Sequence, residues 1–409
     1  MKFDDYKIAD ELKESIRKLG FKRPTDIQFK SIQPILSGDD VLAIAQTGTG
    51  KTAAFAIPII DILNYRKKTQ RRKDGIRAVV MVPTRELAMQ ITEVFNLLEK
   101  DTLVKTFGVF GGVEQDPQIK ELQKGFDIMV ATPGRLFDLT SQGYIQLHRI
   151  NILVLDEADH MLDLGFIKDI RQLITHLPKK RQTLFFSATI DKEIKKLAYS
   201  LVSNPIRIQI SPKDPVSKNV NHKVAFVEMD DKRFFLERLI VENPEAKILV
   251  FVRTKVRAER VAKAMERVGI MAKTIHGDKD QKDRSKVMKD FKAGIIKVLV
   301  ATDVSARGID VASVEFVINY DLPEQAENYV HRVGRTGRGN HRGFAVSFCA
   351  KEEKPLLKAI EEYIGKPVHV NEIKNQDYIE TKELSEENPA DWKSLMKQPL
   401  ERKGRKKRK

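Results

Sequence analysis

The chain has 409 residues, 41% hydrophobic and 32% charged, with 73 Lys and Arg against 57 Asp and Glu. That is the composition of a folded protein of two or three domains, and 22 glycines with 16 prolines exclude collagen-like and low-complexity classes. The net charge of +16 is uneven, because residues 402–409 (RKGRKKRK) carry seven positive charges and no negative one.

No apolar run nears the ~18 residues that a membrane span needs. The N-terminus lacks the basic-then-apolar order of a signal peptide. One cysteine, Cys349, cannot close an internal disulfide, so a reducing, cytoplasmic location without membrane attachment is expected. The basic tail is either a solvated end or a sequence-blind tether to a polyphosphate. Residues 66–73 (RKKTQRRK) form a second basic cluster, read as an exposed loop. Nucleic acid is the first partner to test.

In chain order, short apolar runs at 41–45, 78–82, 104–110, 128–131, 152–155 and 183–187 read as strands. Stretches of helical period lie between them, such as 86–98 and 167–176. Buried strands alternating with helices predict a parallel sheet covered on both faces. Residues 204–221 hold Pro205, Pro212 and Pro215 among Ser and Asn, a linker composition. The alternation then resumes, with strands at 247–252, 272–276, 297–301, 316–319 and 344–348 and helices at 254–268 and 279–291. The expected organisation is an α/β domain at 1–210, a linker at 211–221, and a second α/β domain at 222–365. A polar extension at 366–409 contains Trp392 and a flexible basic tail.

The sharpest motif is AQTGTGKT, residues 45–52, directly after the first strand and at the start of a helix. Ala45 stands where the strict phosphate-loop pattern has glycine. Gly48 and Gly50 let successive backbone N–H groups turn inward on phosphate oxygens, and the helix N-terminus adds partial positive charge. Lys51 is placed to reach the β and γ phosphates, and the Thr52 hydroxyl to ligate Mg²⁺. DEAD, residues 156–159, ends another apolar strand. Open α/β sheets bind ligands at that edge. Asp156 is read as holding Mg²⁺ through water, and Glu157 as orienting or deprotonating an attacking water.

With these two motifs at this separation, the chain resembles the DEAD-box RNA helicases, and further matches follow in family order over residues 1–365. Phe3 lies seventeen positions before Gly20, which opens GFKRPTDIQ (residues 20–28). The resemblance implies an ATP site in which Phe3 stacks on adenine, Gln28 reads its edge, and Phe21, Ala45, Gln46, Thr47, Gly48, Thr49, Gly50, Lys51 and Thr52 complete the nucleotide contacts. It implies RNA contacts from Pro83, Thr84 and Arg85, from Gly111 and Gly112, and from Thr132, Pro133, Gly134 and Arg135. Ser187, Ala188 and Thr189 (SAT), with Asp159 and His331, are implied to couple hydrolysis to unwinding.

In the second domain the matches are VFVRT (250–254), Gln281 with Arg284, ATDVSARGID (301–310) and HRVGRTGRG (331–339). They imply Arg335 and Arg338 as arginine fingers, Asp310 on the ribose, and Arg284 with Thr302 on the RNA backbone. The resemblance thus implies two tandem RecA-like domains and an ATP-dependent, Mg²⁺-requiring, monomeric RNA helicase acting on single-stranded RNA and short duplexes with little sequence preference. The N-terminal lead and basic tail look similar to the bacterial RhlE-type branch. An annealing protein working through its tail and a DNA helicase remain as alternatives. The physiological RNA stays open, as do protein partners from ribosome assembly or RNA decay.

Overall fold

The computed structural model describes residues 1–46, 48–69, 75–190, 192–210, 216–303, 314–337, 342–383 and 385. The chain divides between Ser217 and Lys218 into two units. The first runs from a 3-10 turn (Phe3–Asp5) through α1 (Asp10–Lys18), α2 (Asp26–Ser37), β1 (Val41–Ala45), α3 (Lys51–Thr69), β2 (Ala78–Met81) and α4 (Arg85–Glu99). It continues with β3 (Thr106–Val109), α5 (Gln115–Leu122), β4 (Ile128–Ala131), α6 (Pro133–Ser141), β5 (Ile152–Leu155) and α7 (Ala158–Asp163). Then come α8 (Ile167–Thr175), β6 (Gln182–Ser187), α9 (Lys192–Leu201) and β7 (Ile206–Ile210).

The seven strands are all parallel, in the order β3-β4-β2-β5-β6-β1-β7. Period-two alternation explains why the strand sequences are apolar throughout. Val41, Ala43 and Ala45 of β1 enter one core with α1 to α4, while Leu42 and Ile44 enter the other with α6 to α9. The strand at β7 lies inside the stretch read as linker. It is an edge strand with only Ile208 buried, so the apolar run that marks a central strand is absent.

The second unit comprises β8 (Val220–Phe226), α10 (Lys232–Glu242), β9 (Ile248–Val252), α11 (Lys255–Arg267), β10 (Ala272–Ile275), α12 (Gln281–Lys292) and β11 (Val298–Thr302). After these come β12 (Phe316–Asn319), α13 (Ala326–Val333), β13 (Gly343–Cys349), α14 (Lys354–Ile364), β14 (His369–Val370) and α15 (Asn375–Glu383). Its seven parallel strands follow β10-β11-β9-β12-β13-β8-β14. Position by position this is the order of the first sheet, so both units are RecA-like.

The boundary expected at 365 falls inside this unit, because β14 pairs with β8 and α15 docks on α10. The α15 contacts are largely polar. Tyr378 Oη donates to Asp231 Oδ2 at 2.9 Å, Lys382 Nζ reaches the same oxygen at 3.1 Å, and Arg238 Nη1 donates to Thr381 Oγ1 at 2.6 Å. A helix attached this way has no apolar stripe for sequence reasoning to find. Trp392 and the basic tail lie outside the described residues. Among the described residues, no helix is long and apolar enough to cross a membrane.

Candidate functional site

Strand order sorts the motifs of the first unit into two halves. β5, β6 and β1 are neighbours, and their carboxyl ends carry DEAD, SAT and the phosphate loop. On the other side β3, β4 and β2 are neighbours, and their ends carry the glycine pair, TPGR and PTREL. Segments remote in sequence thereby form one continuous edge.

In the first half, Gly48 and Gly50 take φ of 82° and 93°, the left-handed region open to glycine. Lys51 Nζ donates to the Ala45 carbonyl at 2.9 Å, and Thr49 Oγ1 donates to the Gln46 carbonyl at 2.8 Å. Gln28 joins this loop to the segment before it: Nε2 donates to the Gly50 carbonyl at 3.1 Å, and Oε1 accepts from Thr25 N at 2.9 Å. A Cβ on Gly50 would lie 2.5 Å from Gln28 Nε2, so this contact also requires glycine. A primary amide offers two donors and two lone pairs. Gln28 therefore keeps one N–H and one lone pair for a ligand.

Asp156 and Glu157 follow β5 directly. Asp156 Oδ1 accepts from Glu157 N at 3.0 Å, and Glu157 sits at φ 52°, a left-handed conformation costly for a non-glycine residue. Burial pushes the Asp156 carboxyl up to about 6, against the pull of the Lys51 ammonium and with the Glu157 carboxylate adding to the rise. Asp159 ties DEAD to SAT. Its Oδ2 accepts from Ala188 N and Thr189 N at 3.0 Å each and from Thr189 Oγ1 at 3.2 Å.

Phe3 differs from its expected placement. It is only 4% exposed, inside the core, and packs on Tyr6 and Phe21 with ring centroids 6.3 and 6.2 Å away. The partly exposed ring is Phe21, so Phe3 supports that ring and offers no free face for stacking.

In the second half, Thr84 caps α4, its Oγ1 accepting from Leu87 N at 3.3 Å. Arg85 lies against the glycine pair so closely that a Cβ on Gly112 would fall 1.6 Å from its Nη1, and Gly112 itself has φ 75°. Arg135 donates from Nη2 to the Val113 carbonyl at 2.8 Å. Pro133 opens α6, where its missing N–H costs nothing. Two guanidinium groups thus flank one glycine loop.

The second unit repeats the division. β10, β11 and β9 are neighbours, and beyond their ends stand Arg284, Thr302 and Thr254. Thr254 caps α11 as Thr84 caps α4, accepting from Arg257 N at 3.2 Å. Arg335, two residues past the end of α13, is tied back to His331 on that helix by its Nε donating to the His331 carbonyl at 3.2 Å. Thr47, Asp310 and Arg338 lie outside the described residues, as does the side chain of Gln281.

A family description for the DEAD/DEAH box helicase matches residues 25–197, and one for the helicase conserved C-terminal domain matches residues 231–340. The chain is 41% identical over 372 residues to the ATP-dependent RNA helicase RhlB of Shewanella amazonensis, covering 90% of this chain and 85% of that one. The chain belongs to the DEAD-box ATP-dependent RNA helicases. It is also 40% identical over 363 residues to the DEAD-box ATP-dependent RNA helicase CshA of Bacillus subtilis, covering 88% of this chain and 72% of that one. Among solved structures it is similar to S. cerevisiae Dbp5 bound to RNA and ADP BeF3, with a TM-score of 0.81, 30% identity, and coverage of 97% of this chain and 100% of that one. Neither relative is named for the RhlE-type branch.

The helicase also holds buried polar pairs to which the motifs assign no role. Arg332 is 1% exposed and grips Asp303 with both arms, Nε to Oδ1 at 2.5 Å and Nη2 to Oδ2 at 2.8 Å. Its Nη1 donates to the Asp321 carbonyl at 2.6 Å. This bidentate pair joins the strand end at Thr302 to α13, just before Arg335. Both residues lie inside motifs the sequence shows, Asp303 in ATDVSARGID and Arg332 in HRVGRTGRG, but neither motif reveals that they pair. Lys232, Asp321 and Glu353 form a second buried cluster, with no motif to announce it.

Proposed function

We propose that the nucleotide half of the first unit holds ATP, that the other half of each unit holds one RNA strand through phosphate and sugar, and that both ligands favour a closed form that strains a duplex. The supporting observation is the shared strand order, which gives each unit a row of candidate RNA contacts beside a separate ligand edge. Lys51 would bind the β and γ phosphates, Gln28 would use its remaining donor and acceptor on the adenine edge, and Phe21 would pack against the base. Glu157 would orient the attacking water and take its proton. Arg335, with Arg338, would stabilise charge as the γ-phosphoryl transfers. An arginine finger contributes on the order of 10³–10⁵ in rate in related NTPases.

The residues fit Mg²⁺. The donors are hard oxygens, Asp156 pays for burial that a cation would relieve, and among the described residues no cluster of three acidic, histidine or cysteine side chains could hold a metal alone. Thr52 and Asp156 would hold the ion together with phosphate oxygens, the usual manner for Mg²⁺. When bound, it neutralises charge on the β and γ phosphates.

Pro83, Thr84, Arg85, Gly111, Gly112, Thr132, Pro133, Gly134 and Arg135 would contact RNA in the first unit, and Arg284 and Thr302 in the second. Backbone contacts of this kind tolerate any sequence. The SAT segment, held by Asp159, would relay the state of the γ-phosphate. Ligands that both prefer the closed form must strengthen one another. ATP affinity measured with and without single-stranded RNA should therefore differ by about five- to 150-fold; equal values would remove coupled closure. Arg335→Ala should keep ATP binding and lose about 10³-fold in RNA-stimulated turnover.

A further inference from the structure

The loop leaving β10 is fastened to α11 by charged side chains rather than by packing. Lys255 and Glu259, one helical turn apart, both reach it. Lys255 Nζ pairs with Asp278 Oδ2 at 2.5 Å. Glu259 Oε1 gathers three donors: Thr274 Oγ1 at 2.7 Å, His276 Nε2 at 2.8 Å and Lys279 Nζ at 2.9 Å. Burial opposes ionisation of Glu259, but the bonds from Thr274, His276 and Lys279 together outweigh it and hold the carboxyl at about 2. The loop then closes on itself, Lys279 N donating to the His276 carbonyl at 3.1 Å. It enters α12, where Arg284 N donates to the Asp280 carbonyl at 2.9 Å.

This loop stands at the end of β10, the sheet position that β3 takes in the first unit. There the glycine loop is pinned by Arg85 and Arg135. In the second unit the clamp is instead a carboxylate, which cannot itself attract an RNA phosphate. Its effect must therefore pass through what it holds, and the segment it holds leads into the first turn of α12.

We propose that Glu259 is a positioning residue for RNA binding: through Thr274, His276 and Lys279 it fixes the approach to α12 and thereby the aim of Arg284. This inference rests on the assignment of Arg284 to the RNA backbone made above. Side-chain clamps that orient a binding group couple to it energetically, so the two residues should behave non-additively.

The test uses the full chain, with ATP turnover titrated by a single-stranded oligouridylate. Glu259→Ala should raise the RNA concentration for half-maximal stimulation about tenfold. Maximal turnover should stay within about twofold, and RNA-free binding of a fluorescent ADP analogue should be unchanged. Glu259→Asp should restore part of the loss. In an Arg284→Ala background, Glu259→Ala should add little. Half-saturation that stays at the wild-type value in Glu259→Ala, while Arg284→Ala raises it, would overturn the positioning role and leave the assignment of Arg284 standing. Arg284→Ala without effect would remove that assignment and this proposal with it. Fully additive losses, or a fall in turnover matching a fall in Tm, would make Glu259 a structural residue only.

Discussion

The two units place a lysine at the same point of the fold and use it for opposite ends. Lys51 opens α3 six residues after β1 ends at Ala45, and Lys232 opens α10 six residues after β8 ends at Phe226. An aspartate follows the matching strand in each, Asp156 after β5 and Asp321 after β12. In the first unit the intervening loop is rich in glycine, and among the described residues the Lys51 ammonium donates to the Ala45 carbonyl at the end of β1. In the second the loop reads VEMDD, residues 227–231, with three carboxylates and no glycine. There the Glu353 carboxylate meets Lys232 Nζ at 2.5 Å, and the Tyr320 carbonyl accepts from it at 2.7 Å. Glu353 is held in turn by Arg253 Nη2 at 2.9 Å and by Ala350 N at 3.1 Å. One architecture therefore sets the lysine beside a glycine loop on one sheet and ties it to a buried carboxylate on the other. Loop chemistry, rather than the fold, decides which.

The comparison breaks most visibly at Glu353. Glu353→Gln should destabilise the second unit by about 3–5 kcal/mol, since Lys232 and Arg253 lose a buried partner. Urea denaturation followed by hydrogen exchange would locate the loss. Exchange that quickens equally in both units would contradict the assignment. Replacing the buried pair together, Lys232→Met with Glu353→Leu, should recover much of it.

Lys51→Ala should instead leave the fold intact and cut ATP turnover about 10²–10³-fold, the usual cost of removing one charge-stabilising donor. Turnover within a few-fold of wild type would mean that the two lysines do not differ as described.

A smaller effect follows from pH. Below about 6 Asp156 is protonated in the nucleotide-free protein, so Mg²⁺·ATP affinity should fall up to about tenfold per pH unit on acidification through that value. Asp156→Asn should bind weakly at every pH. The sign for stability is opposite. A carboxyl raised on folding binds more protons in the native than in the unfolded chain, so nucleotide-free stability should decline as pH rises from about 4 to 6. Calorimetry across that window, on wild type and Asp156→Asn, checks both signs.

The smallest difference should come from the shared caps. Thr84→Ala and Thr254→Ala should each cost about 1 kcal/mol, with the loss confined to the unit that carries the cap.

Much of the ligand edge was legible because its signals are local. A phosphate loop needs a strand, glycines and a lysine within a dozen residues, and DEAD follows its strand directly. Phe3 lies buried, a feature that spacing along the chain does not report. The edge strand β7 and the start of β8 hid behind the prolines of a presumed linker, and α15 behind its polarity. The Lys232–Glu353 pair joins residues 121 apart, outside every motif, and Arg332–Asp303 joins two motifs 29 residues apart with no local signal that they pair.

The sequence by itself determined two parallel-sheet domains, the chemistry of one nucleotide loop and the family, because each rests on periodicity or on residues adjacent in the chain. Only the tertiary structure decided how the motifs divide between the halves of each edge, which aromatic ring is accessible, and which lysine is already satisfied. The reason is that strand order and side-chain burial are set by packing between distant segments, and no local pattern encodes them.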